Sequence, residues 1–538
     1  MSAVAEPWHY LILTAANANQ AAAYEMQLRL RHDAGQLPCV RKTLVLADPE
    51  GRRVGSGGST VQCLVEVLRR ESRGDPPADF ASAEAILRSL RILIVHAGGD
   101  ARRLPAYSPC GKIFVPLPVE SGAALPPTLF DRLVPPFLSL PSGPPGVGQI
   151  VVASGDALIR FDPAEVRTLA GGITALGSWA PPEEASRHGV FCPNEDGSVR
   201  LYLQKPGISR QVETGAIAAD GRAVLDVGVM SLDAAAAVQM LRPFYTCGTG
   251  WIPSVWNILL SHGIDLYREV CAALGSGATL EEYLRTVRSS GSTLDESILA
   301  SFFNAFHVIP LHLQVLSRCS FLHFGSTRQL IDSGIELTTL ERGAPPPRRT
   351  LAVGVETSAG AVLASTDSWV ESCRLRATLS LPGRNVVVGV DVSEPLELPL
   401  GACLDLTPGF DHYGRKACFI RYYGMDDSFK HPAGAGATFC GRPLMEWLRA
   451  AGVADSDVWN SDIPAAERTL WNARVFPAEQ DPEAYRRWRW MLDVDSATAE
   501  EKDRFLAADR YSSAEIAARV DHDAFHARRA AIRSRQAA

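Results

Sequence analysis

The sequence predicts an α/β protein: a mostly parallel sheet flanked by helices, followed by a parallel β-helix and a C-terminal helical segment. Three observations carry this reading. Apolar strand-like runs alternate with amphipathic stretches over the first three hundred residues. Between residues 350 and 406 apolar side chains recur at steps of six. The last hundred residues return to helical spacing. The expected division is an α/β domain at 1–325, a β-helix-like domain at 326–435 and a helical segment at 436–538.

The elements follow in order. "WHYLILTAA" is a short apolar run of strand type, and "NQAAAYEMQLRLRHDAG" has helical spacing with a glycine stop. "KTLVLAD" reads as a strand. "STVQCLVEVLRRESRG" reads as an amphipathic helix with Ser59 as its cap. "RILIVHAGG" and "GQIVVASGD" are buried strands that end in glycine, and in such sheets ligands bind at the carboxyl ends of the strands. Farther on, Leu363, Trp369, Leu375, Leu381 and Val387 mark the six-residue step; after a slip of one, Val388, Leu400 and Leu406 continue it. An irregular β-sandwich is the alternative for this stretch. "RPLMEWLRAAGV" and "DPEAYRRWRWMLD" are amphipathic, Ser512 and Glu515 stand at capping-box spacing, and the basic tail reads as a solvated helix end.

Composition narrows the function. The 538 residues are 46% hydrophobic and 21% charged, ordinary for a chain of two to four domains. A net charge of −7 argues against nucleic-acid binding, which needs a basic surface. The 11 cysteines are scattered singly, so reduced thiols and a cytoplasmic location are expected. The sequence shows neither a signal-peptide pattern nor an apolar run long enough for a membrane span.

The chemistry-bearing residues cluster after strands. Gly98 and Gly99 free backbone N–H groups to close on an anion. Arg102 and Arg103 can fork onto phosphate oxygens, and Lys112 adds a compact charge at an α-phosphate. Asp100 stands among these donors. A second glycine-rich stretch, Gly55, Gly57 and Gly58 before Ser59 and Thr60, invites the same reading, although it lacks the lysine of a P-loop. Asp156 follows a strand and a glycine, where a carboxylate can hold Mg²⁺ bound to phosphate. Asp265 and Glu269, four apart, are candidates for a second metal ligand or a solvated acidic face. "HGVF" (His188, Gly189) and "LYLQKPG" read as halves of a hairpin that projects Lys205, and "LDVGVMSLD" sets Asp226 and Gly228 in a strand, where Asp226 could bond sugar hydroxyls.

Taken in order, "RVGSGGST", "HAGGDARRLP…GK", "SGD", "QKPG", "DVGV", "IDLYREVCAALG", "FLHFGST", "ARVFP" and "RYSSAEIA" resemble the L-fucose-1-phosphate guanylyltransferase family, which includes the pyrophosphorylase half of bifunctional L-fucokinase/GDP-fucose synthases. The resemblance implies a nucleotidyltransferase-like α/β domain before the β-helix. It implies transfer of GMP from GTP to L-fucose 1-phosphate with Mg²⁺, giving GDP-L-fucose and pyrophosphate. Arg103 and Lys112 would neutralise the triphosphate, Lys205 would hold the sugar phosphate, and Asp156 with Glu269 or Asp265 would hold the metal. A fused or neighbouring sugar kinase is the implied partner, since no kinase-type phosphate loop is found here; the oligomeric state is left open. The alternatives are another nucleotide such as UTP or another sugar phosphate, a non-catalytic sugar-nucleotide sensor, a hexapeptide acyltransferase (disfavoured, because Val353 to Leu406 contains no histidine), or a structural protein built on the β-helix.

Overall fold

The computed structural model describes residues 6–119, 125–169 and 171–537. The extreme N-terminus, on which the signal-peptide reading partly rests, lies outside them. The chain forms two compact units: Met1–Gly98, Arg132–Gly155 and Ile159–Phe321 make the first, and Gly99–Asp131, Asp156–Leu158 and Leu322–Ala538 the second. The crossing near residue 321 lies close to the boundary expected at 325. The segments 326–435 and 436–538, expected as separate domains, share one unit, and residues 99–131 belong with them.

The first unit is a mixed α/β sheet. Its strands run in the order Leu311–Val315, Ile173–Ala180, Ala223–Leu232, β4 (Gln149–Ser154), β3 (Arg91–His96), β1 (Trp8–Ala15) and β2 (Val40–Ala47). Neighbours pair in parallel except Ala223–Leu232, which runs against both of its own. A hairpin, Gly189–Pro193 with Val199–Gln204, joins through Ala223–Leu232. β1 and β3 are almost wholly buried, which is why they read as continuous apolar runs. Helix α1 (Ala18–Asp33) carries the chain from β1 out to the edge at β2; helix α2 (Gly55–Glu71) begins its return to β3, on the other side of β1. The strand order therefore reverses between β1 and β3, and their carboxyl ends flank the crevice where such sheets bind ligands.

The second unit is built on parallel strands. Leu351, Trp369, Val386 and Cys403 are successive partners across Thr350–Thr357, Ser368–Leu375, Asn385–Val388 and Ala402–Phe410. A second parallel set, Leu363–Ser365, Leu379–Leu381 and Leu396–Glu397, repeats at similar intervals. Trp369, Leu375, Leu381, Val387, Val388 and Leu406 point into the core, whereas Leu400, counted in the same step, is 68% exposed. It lies in the turn before Ala402–Phe410, where the step has broken. Ala402–Phe410 then pairs antiparallel with Lys416–Gly424.

The C-terminal part departs from expectation in two places. Pro482–Leu492 is a 3₁₀ helix, and the basic tail is not merely solvated: in the helix His522–Ala537, Arg528 bonds the Ser372 carbonyl and Arg529 bonds Glu371. Ser512 and Glu515 do form their capping box. All 11 cysteines are unpaired. Among the described residues no helix is long and apolar enough to cross a membrane. The six-residue step predicts a sharp contrast. Leu375→Ala should cost about 2–5 kcal/mol of unfolding free energy, and Leu400→Ala less than about 0.5, by urea denaturation.

Candidate functional site

In the first unit, the carboxyl edge of the sheet is fixed by short polar ties. The Thr14 hydroxyl accepts from the amides of Ala97 (3.2 Å) and Gly98 (3.4 Å), so β1 and β3 are joined where the strand order reverses. The Tyr24 hydroxyl donates to the Ala97 carbonyl at 2.8 Å, and Asn17 caps α1 through the Gln20 amide. None of these three side chains stands out in sequence: Thr14 reads as one more β-branched strand residue.

The stretch expected to be a second phosphate loop is not a loop. Helix α2 begins at Gly55, and the amides of Gly57 and Gly58 both donate to the Ile264 carbonyl, at 2.8 and 3.2 Å. A side chain at Gly55 would put its Cβ 2.3 Å from the Ile264 oxygen, and one at Gly58 would meet Leu259 at 2.5 Å. The glycines thus let a helix lie against the 259–266 backbone, and their donors are spent there. Ser59 lies inside the helix rather than at its cap, and donates to Asp48 at 3.2 Å. Burial pushes the Asp48 carboxyl up to about 6. Thr60 donates to the Ser56 carbonyl at 2.9 Å and meets His96 Nε2 at 3.0 Å, so proton accounting makes that ring nitrogen the donor. Loss of solvent lowers His96 to about 4, which keeps the ring neutral at neutral pH.

Asp265 and Glu269 form a closed local structure. Asp265 caps a π-helical turn, Leu266–Cys271, by accepting from the amides of Tyr267 and Arg268 at 2.9 Å. Its other oxygen faces the Ser56 hydroxyl at 3.4 Å. Glu269, with no exposed surface, accepts from the Asp265 amide at 2.7 Å and from Arg268 Nε at 2.6 Å. Glu269 thus has both oxygens on protein donors and is not part of a solvated face, whereas Asp265 is half-buried and its second oxygen meets the Ser56 hydroxyl at a long distance. Among the described residues no three His, Cys, Asp or Glu side chains gather as a metal site. Asp156 is exposed, two residues beyond β4.

The expected hairpin is present, with Gly189 opposite Gln204. Gly189 has no room for a side chain, since a Cβ would lie 2.0 Å from the Tyr202 hydroxyl. That hydroxyl donates to Asp226 at 2.9 Å, while the other Asp226 oxygen accepts from the Gly228 amide at 2.7 Å. Burial raises the Asp226 carboxyl to about 6 against both bonds. Gly228 has φ +74°, and a Cβ there would stand 3.4 Å from Ser154 and 3.5 Å from the Tyr267 hydroxyl. Tyr202 and Tyr267 therefore belong to the Asp226 cluster, although sequence reading named neither. His188 stacks on Phe321 with centroids 5.8 Å apart, and its carbonyl accepts from the Lys205 amide. Lys205 is exposed, at φ +48°.

The second unit holds the cationic segment. Asp100 pairs with Arg102 at 2.6 Å, so its charge is met within the loop. Gly99 has φ +114°, and Ala101 adopts φ +54° despite its Cβ. The side chains of Arg103 and Lys112 converge: a Cβ on Gly325 would stand 3.5 Å from Arg103 Nη2 and 3.8 Å from Lys112 Nζ. Gly325 immediately precedes Ser326, the cap of helix Thr327–Arg342, and the Thr327 amide donates to the Arg103 carbonyl at 2.8 Å. Two cations beside a helix N-terminus make a strongly positive point suited to phosphate. Gly325, within "FLHFGST", was not singled out in sequence, because a glycine before a helix cap is ordinary.

The chain carries an open α/β sheet and a cationic segment that follows β3. The comparisons give the family. Residues 84–481 match the fucose pyrophosphorylase domain, and the chain belongs to that family. It is 28% identical over 539 residues to a bifunctional fucokinase/GDP-fucose pyrophosphorylase of Arabidopsis thaliana, covering 92% of this chain and 49% of that one. It is 26% identical to an L-fucokinase/L-fucose-1-P guanylyltransferase of Bacteroides fragilis, covering 90% and 48%. It is 25% identical to a fucose-1-phosphate guanylyltransferase of Homo sapiens, covering 88% and 82%. The chain thus spans about half the length of the two bifunctional relatives.

Two outcomes test these local assignments. Gly55→Ala, which meets backbone and a left-handed φ of +77°, should lose about 3 kcal/mol in urea unfolding. Gly51→Ala, at φ +68° with only an ordinary contact to Asn17 Cβ at 3.9 Å, should lose about 1. For Asp226, the folded chain keeps a proton between about pH 4 and pH 6 that the unfolded chain has released. Stability therefore falls as pH rises through that window, by on the order of 3 kcal/mol. Asp226→Asn lacks this term, so its melting temperature should gain on the wild type from pH 4 to pH 7.

Proposed function

We propose that this protein transfers GMP from GTP to L-fucose 1-phosphate, releasing pyrophosphate. The observation that carries the reading is the meeting of Arg103 and Lys112 at Gly325, in a chain of the fucose pyrophosphorylase family. A sugar-phosphate oxygen attacks the α-phosphorus in line, the bond to the β-phosphate bridge breaks, and the pyrophosphate leaves with the electron pair. No covalent enzyme intermediate forms, so the protein's work is positioning and charge neutralisation. Arg103 and Lys112 neutralise the triphosphate, with Arg102 and the amides of Gly98 and Gly99 alongside. Lys205 holds the sugar phosphate. Asp226, mostly ionised above pH 6, accepts from sugar hydroxyls, with His188, Gly189 and Gly228 shaping its surroundings. Mg²⁺, when bound, neutralises phosphate charge, and Asp156 is the carboxylate offered to it. The parallel strands of the second unit are turns of a β-helix, the location is cytoplasmic, and the sugar phosphate is supplied by a sugar kinase, fused or separate.

Pyrophosphate release from GTP, Mg²⁺ and L-fucose 1-phosphate tests the reading, with UTP, ATP, CTP and other hexose 1-phosphates as comparison. Release with GTP and fucose 1-phosphate is expected to exceed the other pairs, and none at all would sink the proposal. Lys112→Ala should lower kcat by about 10²–10³ while GTP affinity falls less than tenfold. A sensor would show the affinity loss with no turnover to lose.

A further inference from the structure

Within the second unit, the loop between Arg103 and Lys112 is carried on buried polar pins that the proposed chemistry does not itself use. Arg421, with no exposed surface, bonds Asp405 through Nε at 2.8 Å and donates from Nη2 to the Pro105 carbonyl at 2.8 Å. Its Nη1 faces the Ser108 hydroxyl at 3.5 Å, and Nη2 also reaches Thr407 at 3.3 Å. Asp405 and Arg421 are cross-strand partners, so the pin is set by the register of two long antiparallel strands. A second pin stands two residues on. The Tyr107 hydroxyl accepts from Trp369 Nε1 at 2.7 Å and faces Glu371 at 3.5 Å, and Glu371 is bound by Arg529 of the last helix at 2.6 Å. Tyr107, Trp369 and Glu371 are all at least 98% buried.

This expense of buried charge serves a short irregular segment. Residues 104–111 contain two prolines and a single-turn 3₁₀ helix, with few ladder bonds of their own. A buried arginine–carboxylate pair seldom adds net stability over apolar packing. Here the arginine also donates to a loop carbonyl, that of Pro105, and faces the loop hydroxyl of Ser108, which apolar packing could not hold in register. We propose that Arg421 is a positioning residue for the transferase: with the Tyr107–Glu371–Arg529 chain as a second pin, it fixes the backbone that presents Arg103 and Lys112 together. The proposal rests on the transferase reading for its kinetic arm only.

The experiment uses the full chain. Asp405→Asn with Arg421→Met removes both buried charges at nearly constant volume, so the fold is retained while the Pro105 carbonyl loses its donor. Arg421→Lys keeps the charge against Asp405 but cannot fork to Pro105. Tyr107→Phe keeps the ring and removes the hydroxyl, which tests the second pin should the double variant not fold. In folded variants, amide exchange over residues 104–115 should quicken at least tenfold. The value of kcat should fall about 100-fold for the double variant and about tenfold for the others, with KM for GTP changing less than kcat. A purely structural role predicts that the double variant, once folded, recovers both exchange protection and kcat. Folded variants that hold kcat within threefold and exchange unchanged would overturn the proposal. If the wild type releases no pyrophosphate, the transferase reading fails, and the exchange data alone still decide whether Arg421 pins the loop.

Discussion

Two like charges held at one point repel each other, and much of the second unit answers that constraint. Arg103 Nη2 and Lys112 Nζ cannot be more than about 7 Å apart, given their distances from the same Gly325 position. At an effective dielectric of about 20 this costs on the order of 2 kcal/mol before any anion arrives. A loop free to relax would let them part. The Arg103 carbonyl is instead tied to Thr327, the Pro105 carbonyl to Arg421, and the Tyr107 hydroxyl to Trp369.

The same constraint explains where the buried charge lies. Burial raises Asp405 and Glu371 above the ordinary carboxylate range, while the arginines beside them oppose the rise. Each closes a circuit that ends on the loop: Asp405 orients Arg421, and Glu371 ties Arg529 to Tyr107. The strands of the second unit, parallel at Trp369 and Glu371 and antiparallel at Asp405 and Arg421, set these side chains at fixed register.

Much of this architecture was legible in the sequence, for physical reasons. β1, β3 and β4 announced themselves because strands buried on both faces are continuous apolar runs. The step of six survived from Trp369 to Val387 because each such residue is buried, on one face of the strands or the other. The cationic segment was legible because arginines and a lysine rarely gather after a buried strand without an anion to meet. Long-range pairing was not legible. Arg421 and Asp405 each sit in an alternating strand where a charged residue reads as outward-facing; only the register shows that they face each other inside. At Asp265 and Glu269 a spacing of four suits a shared ligand as well as a self-capping turn, and the bond from the Asp265 amide to Glu269 shows that the turn forms.

The two glycine-rich stretches show why composition alone could not assign the phosphate site. In Gly55–Gly58 the glycines are demanded by space: backbone from 264–266 and the Leu259 side chain lie where side chains would be, and the amides of Gly57 and Gly58 are consumed there. At Gly99 the demand is conformational, since a Cβ would meet nothing within 4 Å but φ is +114°. Ala101 tolerates a left-handed φ two residues on, at a cost of about 1 kcal/mol or more, because the surrounding loop leaves it no alternative: Leu104 is fully buried and its amide closes onto the Ala101 carbonyl at 2.7 Å. Glycines of the first kind report close packing, and those of the second report a backbone held in a set shape. The second kind is what a loop with a charge to present requires, and it is found in the segment that carries Arg103 and Lys112.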